Sequence, residues 1–378
     1  MTLKICSKCI YDENVSGIYF GKDGVCNYCN QIEELKEIYN TGLSEGKKEF
    51  NSILNKIKKN GKKNKYDCII GVSGGTDSSY LIYLAKKVWG LKPLAVHYDN
   101  TWNSAIATIN ISKVLKKLDV DLYTHVVNNK EIDDIFKSFF LAGVPELEAS
   151  TDLAYAYLLR IVSKKFNIKY ILEGHSFITE GISPLGLNYF DGRYISEIHK
   201  KFGKIKMKTY PLLTLSKFLK SIFFDRVKFI RPFWYIDYSK EDARKFLEKE
   251  FNWQYYGGHH LENRITAFYH QIYLPQKFGI DLKMLSLAAL ARNGKISRTQ
   301  AIQYLNEKKN IDKTLIKLFQ KRMNMSDNYY KDVMNSKPIY WQSYPTYKKF
   351  FEYFRSVFYI CSKLNLITKS FYLKYCVK

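Results

Sequence analysis

YDCIIGVSGGTDSS, residues 66–79, passes from a short apolar run into a glycine-rich turn and then into a helical pattern. Cys68 to Val72 is short, apolar and β-branched, the signature of a buried strand. Ser79 to Trp89 carries the helical pattern. A strand, a tight Gly-Gly turn and a helix N-terminus make an anion site: glycines let backbone N–H groups come close to a phosphate, serine hydroxyls add donors, and the helix dipole favours negative charge. The loop lacks the Gly-Lys-Ser/Thr ending of a Walker A motif, so no lysine is placed to grip a γ-phosphate. The plainer alternative is an ordinary glycine-rich turn between strand and helix.

Outward from this stretch the chain alternates strands and helices. Pro93 to Tyr98 reads as a strand ending at Asp99-Asn100, Ala105 to Leu118 as a helix, and Leu122 to Val127 as a strand. A helical stretch near Ile132 to Leu141, a capped helix from about Ser150 to Phe166 and a strand at Tyr170–Leu172 follow. Such alternation predicts an α/β fold with a parallel sheet and with ligands at the carboxyl ends of the strands. A lysine-rich helix from about Gln31 to Lys59 leads into the first strand, with GKKNK (61–65) as the boundary. From about Tyr238 the pattern is helical to the C-terminus. The expected units are therefore 1–30, a linker helix at 31–63, an α/β domain at 64–237 and a helical domain at 238–378.

The 378 residues carry a net charge of +24, from fifty Lys and ten Arg against 36 acids. This excess is mostly lysine and is spread along the chain, with one denser stretch at 200–231. It argues less for a nucleic-acid groove, where Arg and aromatics interleave, than for an acidic small substrate, anionic lipid or a partner. No apolar run is long enough to span a bilayer, and MTLKICSKCI has no signal-peptide core, so a cytoplasmic protein with reduced cysteines is expected. Four of the seven cysteines form Cys6-x2-Cys9 and Cys26-x2-Cys29. Two such knuckles at this separation match tetrathiolate zinc, with Gly24 and Asn27 suited to the turns. A redox pair, which would want a surrounding βαβ unit, and an iron–sulfur cluster are the alternatives. A unit this small would owe its stability to the metal. Cys68, Cys361 and Cys376 read as packing residues.

Two further clusters are polar. Glu173-Gly174-His175 ends a strand expected beside the anion loop, and Glu180-Gly181 follows it; two carboxylates and a histidine there suit proton transfer, metal binding or structural capping. Tyr255 to Arg264, YYGGHHLENR, concentrates polar groups at a reversal. His259, His260 and Glu262 there suit a metal or an acidic substrate, the alternative being a solvated loop.

SGGTDSS resembles the signature of the PP-loop ATP pyrophosphatases, which split ATP into AMP and pyrophosphate. The resemblance implies that Ser73, Gly74, Gly75, Thr76, Asp77, Ser78 and Ser79 bind ATP, with His97 and Asp99 at the next strand end, and that Asp77 holds Mg²⁺. The ordered landmarks extend it. DGVCNYC at 23–29, the PP-loop, the Glu-Gly-His…Glu-Gly loop, the segment from YYGGHHLEN to LPQKFG at 255–279 and ARNGKISR at 291–298 together resemble the N-acetyl sugar amidotransferases of surface-polysaccharide synthesis, the WbpG-like family. Thr76 and His259 depart from it, since both positions are usually lysine there.

That resemblance implies a cytoplasmic ATP-, Mg²⁺- and Zn²⁺-dependent enzyme with an N-terminal zinc ribbon, a PP-loop domain and a helical C-terminal region. An acetamido oxygen of a sugar, UDP- or CMP-linked, is adenylated, and ammonia displaces AMP to leave an acetamidino group. Asp77, Glu173 and Glu180 take the catalytic roles. His175, Tyr256, His259, His260, Glu262, Arg264 and Lys277 bind substrate. With no cysteine placed as a glutaminase nucleophile, ammonia is expected from a separate partner similar to the two-part ammonia synthase of histidine synthesis, docked on 200–231 or the helical C-terminus. The competing reading is a tRNA-modifying PP-loop enzyme of the 2-thiouridine type. The net charge favours it, but only Cys68 lies between residues 30 and 360 to carry sulfur.

Overall fold

The computed structural model describes residues 3–182, 189–258, 261–307 and 311–377. Its strands are β1 (Cys68–Gly71), β2 (Pro93–Asp99), β3 (Leu122–Val126), β4 (Tyr170–Leu172) and β5 (Lys228–Ile230). They form one all-parallel sheet in the order β3-β2-β1-β4-β5. β1 is buried along its whole length, as expected of a strand covered on both faces. The order reverses at β1, which has β2 on one side and β4 on the other. Ile69 pairs with Ile171 and Ile70 with Leu172, so the chain leaves β1 and β4 side by side. A crevice at such a reversal is where open α/β sheets hold ligands.

Three sequence expectations are corrected, and one strand goes unanticipated. The helix after the anion loop starts at Thr76, not Ser79, with Gly75 as its N-cap, so Thr76 to Ser79 form its first turn. The single linker helix is two helices, Asn27–Tyr39 and Ser44–Gly61, because Asn40 takes a left-handed conformation (φ 45°) and Gly42 follows at φ 80°. The helix Ala149–Lys165 has no side-chain N-cap bond; the Glu148 carboxylate instead accepts from Thr266 Oγ1. Finally, the sequence pattern does not anticipate β5. It lies at the end of the basic stretch, and its Phe229 N–H donates to Asn365 O (2.9 Å), so the C-terminal region covers this sheet edge.

One core joins Ile69, Leu94, Phe136, Phe139 and Phe140 to Phe268, Tyr273 and Phe319. A second, on Ile70 and Leu81, takes in Phe50 and Ile57 from before the sheet and Trp234, Leu247 and Trp253 from after it. The boundaries read near 63 and 237 are therefore breaks of pattern across which the cores continue. A third core sets the four N-terminal cysteines against Leu287, Ala288, Ala291 and Ala301. Beyond Ile230 the described residues contain no strand, and no helix among them is long and apolar enough to cross a membrane.

Candidate active site

The loop leaving β1 folds onto itself. Ser73 Oγ accepts from the Gly75 N–H (3.2 Å), and Ser78 Oγ accepts from the Ser73 N–H (3.3 Å). Gly74 has φ +83°, and a Cβ on it would stand 2.4 Å from Ala107 O, so the turn requires glycine twice over. Its carbonyl accepts from Trp253 Nε1 (3.2 Å). Thr76 and Ser79 are buried in the helix start, while Ser73 stays exposed.

Beside it sits the loop after β4. A Cβ on Gly174 would stand 3.2 Å from the Asp77 backbone, which shows how closely the two loops approach. Lys240 Nζ bridges them, 2.7 Å from Asp77 Oδ2 and 3.2 Å from Glu180 Oε1, and the Tyr238 hydroxyl donates to Asp77 Oδ1. Burial pushes the Asp77 carboxyl up, and Lys240 and Tyr238 offset only part of this. Burial also works against the Lys240 charge, but the Asp77 and Glu180 carboxylates outweigh it and hold that ammonium above the ordinary lysine value. His175 Nδ1 lies 3.2 Å from Trp234 Nε1, and its Nε2 lies 3.9 Å from Glu180 Oε2. Burial, helped by Arg231, brings its pKa down to about 4. Glu173 faces β5, where its Oε2 accepts from Arg231 Nε (2.8 Å).

The loop after β2 supplies the third wall. His97 Nδ1 donates to Val72 O (2.8 Å), and its Nε2 lies 3.1 Å from Asn103 Nδ2; a carbonyl can only accept, so both ring nitrogens are committed. Asp99 Oδ1 accepts from Thr101 N–H (2.7 Å) and Asn103 Nδ2 (2.9 Å). This loop is stitched to 262–264: Ser104 N–H donates to Glu262 O (2.9 Å), Arg264 N–H to Trp102 O (2.7 Å), and Asn263 Nδ2 to Asn100 Oδ1 (2.8 Å). The stitching sets the buried Glu262 side chain over the anion loop, where its Oε1 accepts from Ser73 Oγ (3.3 Å). The Tyr256 hydroxyl joins it, 3.2 Å from where a Gly75 Cβ would stand.

Two expected substrate ligands have their polar ends committed elsewhere. The Arg264 side chain pairs with Asp312 (3.1 Å). Lys277 is buried and donates to Val333 O (2.6 Å), Ser336 O (2.8 Å) and Ser336 Oγ (3.0 Å), which caps the end of the helix Asp327–Asn335. His259 and His260 lie outside the described residues. Conversely, Tyr238, Lys240, Trp234 and Arg231 are in the site, and no sequence signal singles out the first three. Recognition of β5 would have found Arg231, which follows it directly, by the rule that ligands gather at strand ends.

The four thiols lie apart from this crevice. All are fully buried, their sulfurs fall within 4.8 Å of one another, and Cys6–Cys29 and Cys9–Cys26 are each 3.8 Å apart. Four tetrahedral thiolates at about 2.3 Å from one ion sit about 3.8 Å from each other, so the set fits zinc. Backbone N–H groups of Lys8, Cys9 and Cys26 point at Cys6 Sγ (3.3, 3.4 and 3.2 Å), as donors to a thiolate do.

Residues 262–358 match the family model of the LPS biosynthesis protein WbpG-like, C-terminal domain. This segment is similar to a WbpG-like C-terminal domain. Its first residue is Glu262, which reaches Ser73 of the anion loop. An uncharacterized protein of Methanocaldococcus jannaschii, MJ1599, is 33% identical over 172 residues, 45% of this chain and 58% of the relative, so the match spans less than two thirds of that relative's length. Among solved structures, NMN synthetase from Francisella tularensis is 11% identical (TM-score 0.32), covering 74% of this chain and 93% of that one. NH3-dependent NAD synthetase from Campylobacter jejuni is 12% identical (TM-score 0.33) at the same coverage, 74% and 93%. The U34-tRNA thiolase NcsA from Methanococcus maripaludis is 14% identical (TM-score 0.31), covering 82% and 90%. Identities and scores this low bear on neither substrate nor reaction.

Proposed function

We propose that the chain is an ATP-dependent amidotransferase that converts the acetamido group of an N-acetylated, nucleotide-linked sugar into an acetamidino group for surface-polysaccharide synthesis. The observation that carries this reading is the contact of Glu262, the first residue of the WbpG-like domain, with Ser73 in the PP-loop. It puts the segment specific to that family against the loop expected to hold ATP.

The chemistry explains why ATP is needed. An amide carbonyl is a poor electrophile and its oxygen a poor leaving group. Adenylation of that oxygen releases pyrophosphate and turns the oxygen into part of AMP. Ammonia then adds to the imidate carbon, AMP departs with the oxygen, and the nitrogen loses its extra protons as the amidine forms. Ser73, Gly74, Gly75, Thr76, Ser78 and Ser79 hold the phosphates, with His97 and Asp99 fixing the loop from β2. Asp77 and Glu180 offer carboxylate oxygens, the donors Mg²⁺ takes, and Lys240 is the cation that now balances them. A bound Mg²⁺ would supply charge neutralisation at the departing pyrophosphate. Glu180, flanked by neutral His175, takes a proton from the incoming ammonia; Glu173, bonded to Arg231, positions the strand end instead. Tyr256 and Glu262 face the sugar, and His259 and His260 are assigned to bind it as well. Ammonia comes from a partner glutaminase docked on the C-terminal helices or on 200–231.

The test is an incubation with ATP, Mg²⁺, ammonium and UDP- or CMP-linked N-acetyl sugars. AMP and a product lighter by the difference between an oxygen and an imino group are expected, and glutamine alone is expected to be inert without a partner. Salt-sensitive tRNA binding with no amidine would favour the thiouridine reading instead, although Cys68 is fully buried in β1.

A further inference from the structure

Arg292, within the ARNGKISR landmark, ends the helix Lys283–Arg292 and is 5% exposed. A guanidinium that deep ordinarily meets a carboxylate. Arg292 meets none among the described residues, and its Nε and Nη2 have no hydrogen-bond partner there. On one side its guanidinium carbon lies 5.2 Å from the centre of the Tyr11 ring, next to the cysteine knuckles. On the other side lies Gly181, where a Cβ would stand 3.3 Å from Nη1. The landmark ties both sides again: Arg298 Nε donates to Cys9 O (3.0 Å), and Asn293 Nδ2 donates to Ile178 O (2.9 Å).

Four thiolates around one zinc carry more negative charge than the ion cancels, and that excess is itself buried in the knuckle core. A buried cation without a carboxylate among the described residues thus packs on the ring of Tyr11, which shares the core of the four cysteines. We propose that Arg292 is the counter-charge of the four-cysteine metal centre and the strut by which that centre holds the Ile178–Gly181 turn, and with it Glu180, beside Asp77. Arg292 is a positioning residue: it touches neither the PP-loop nor the expected substrate. The proposal stands whether or not the amidotransferase reading does.

The full-length zinc-loaded protein is compared with Arg292→Met and Arg292→Lys by zinc release to a chromogenic chelator and by hydrogen exchange. The reporting amides are Glu180 and Gly181, bonded to Ser176 O (3.0 Å) and Phe177 O (3.1 Å). The methionine variant should release zinc about 10- to 100-fold faster and exchange faster at 176–181, with β1 unchanged. Lysine, which keeps the charge but not the planar fork, should fall between. Zinc held as tightly as in wild type, or unchanged exchange at the turn, overturns the proposal. Should the methionine variant not fold, wild type stripped of zinc decides. Faster exchange at 176–181 with β1 still protected supports the strut. An unchanged turn overturns it, and so does loss of protection everywhere, because the centre would then hold the whole fold and not this turn.

Discussion

An indole N–H can only donate, so Trp234 Nε1 obliges His175 Nδ1 to accept, and the neutral ring carries its proton on Nε2, toward Glu180. The folded His175 pKa, about 4, lies below the ordinary 6.5. The native state therefore binds fewer protons than the unfolded chain between those values. Stability is full above pH 6.5 and falls as the pH drops toward 4, by up to about 2.5 kcal/mol from this ring alone at pH 4.5. Urea titrations at pH 7.5 and 4.5 should show wild type losing that much more than His175→Gln. Equal losses in both proteins would mean the ring is not held neutral. The same scale shows what the sequence hid. Ser73 to Ser79 and the four cysteines were legible because each set is one local phrase. Tyr238 and Lys240 were not, because Asp77 meets Lys240 from 163 positions away in sequence.

At the scale of elements, Gly46 reverses an ordinary expectation. It lies in the first turn of an eighteen-residue helix, Ser44–Gly61, where alanine in place of glycine usually stabilises by about 0.5–1 kcal/mol. Here a Cβ would stand 2.3 Å from Asn40 O and 2.8 Å from Tyr235 O. The break at Asn40–Gly42 folds the preceding helix end back over this position. Gly46→Ala should therefore lower the melting temperature, and a rise would show that the two backbones are not in contact. Strand β5 illustrates the opposite difficulty. Lys228-Phe229-Ile230 is three residues long and follows a lysine-rich run, so neither length nor alternation marks it; pairing with β4 and the cover from Asn365 make it a strand. β1, β2 and β4 were readable because burial on both faces makes a strand's composition nearly uniform.

For the whole molecule, the sheet and the WbpG-like segment share one interior. Phe140 lies 4.9 Å from Phe319, and Phe268 stacks on Phe319 at 4.2 Å. A fragment of residues 64–237 would expose the faces of Phe136 and Phe140 that the C-terminal helices cover. It should be insoluble or lack a cooperative melt in calorimetry, whereas the full chain should melt as one unit. A fragment with a sharp transition of its own would show that the shared core is dispensable.

On the proposed function, the meeting of Glu262 with Ser73 has a bearing on how such enzymes diversify. Glu262, the first residue of the matched segment, reaches the anion loop, while Phe268 just beyond it is a brick in the same wall as the sheet helices. On that proposal, a chimera that borrows only this segment from a relative with a different substrate would import a new specificity and a mismatched interior in one cut. On that proposal, changes of substrate should arise by point substitution at Tyr256 and Glu262 far more readily than by recombination of domains.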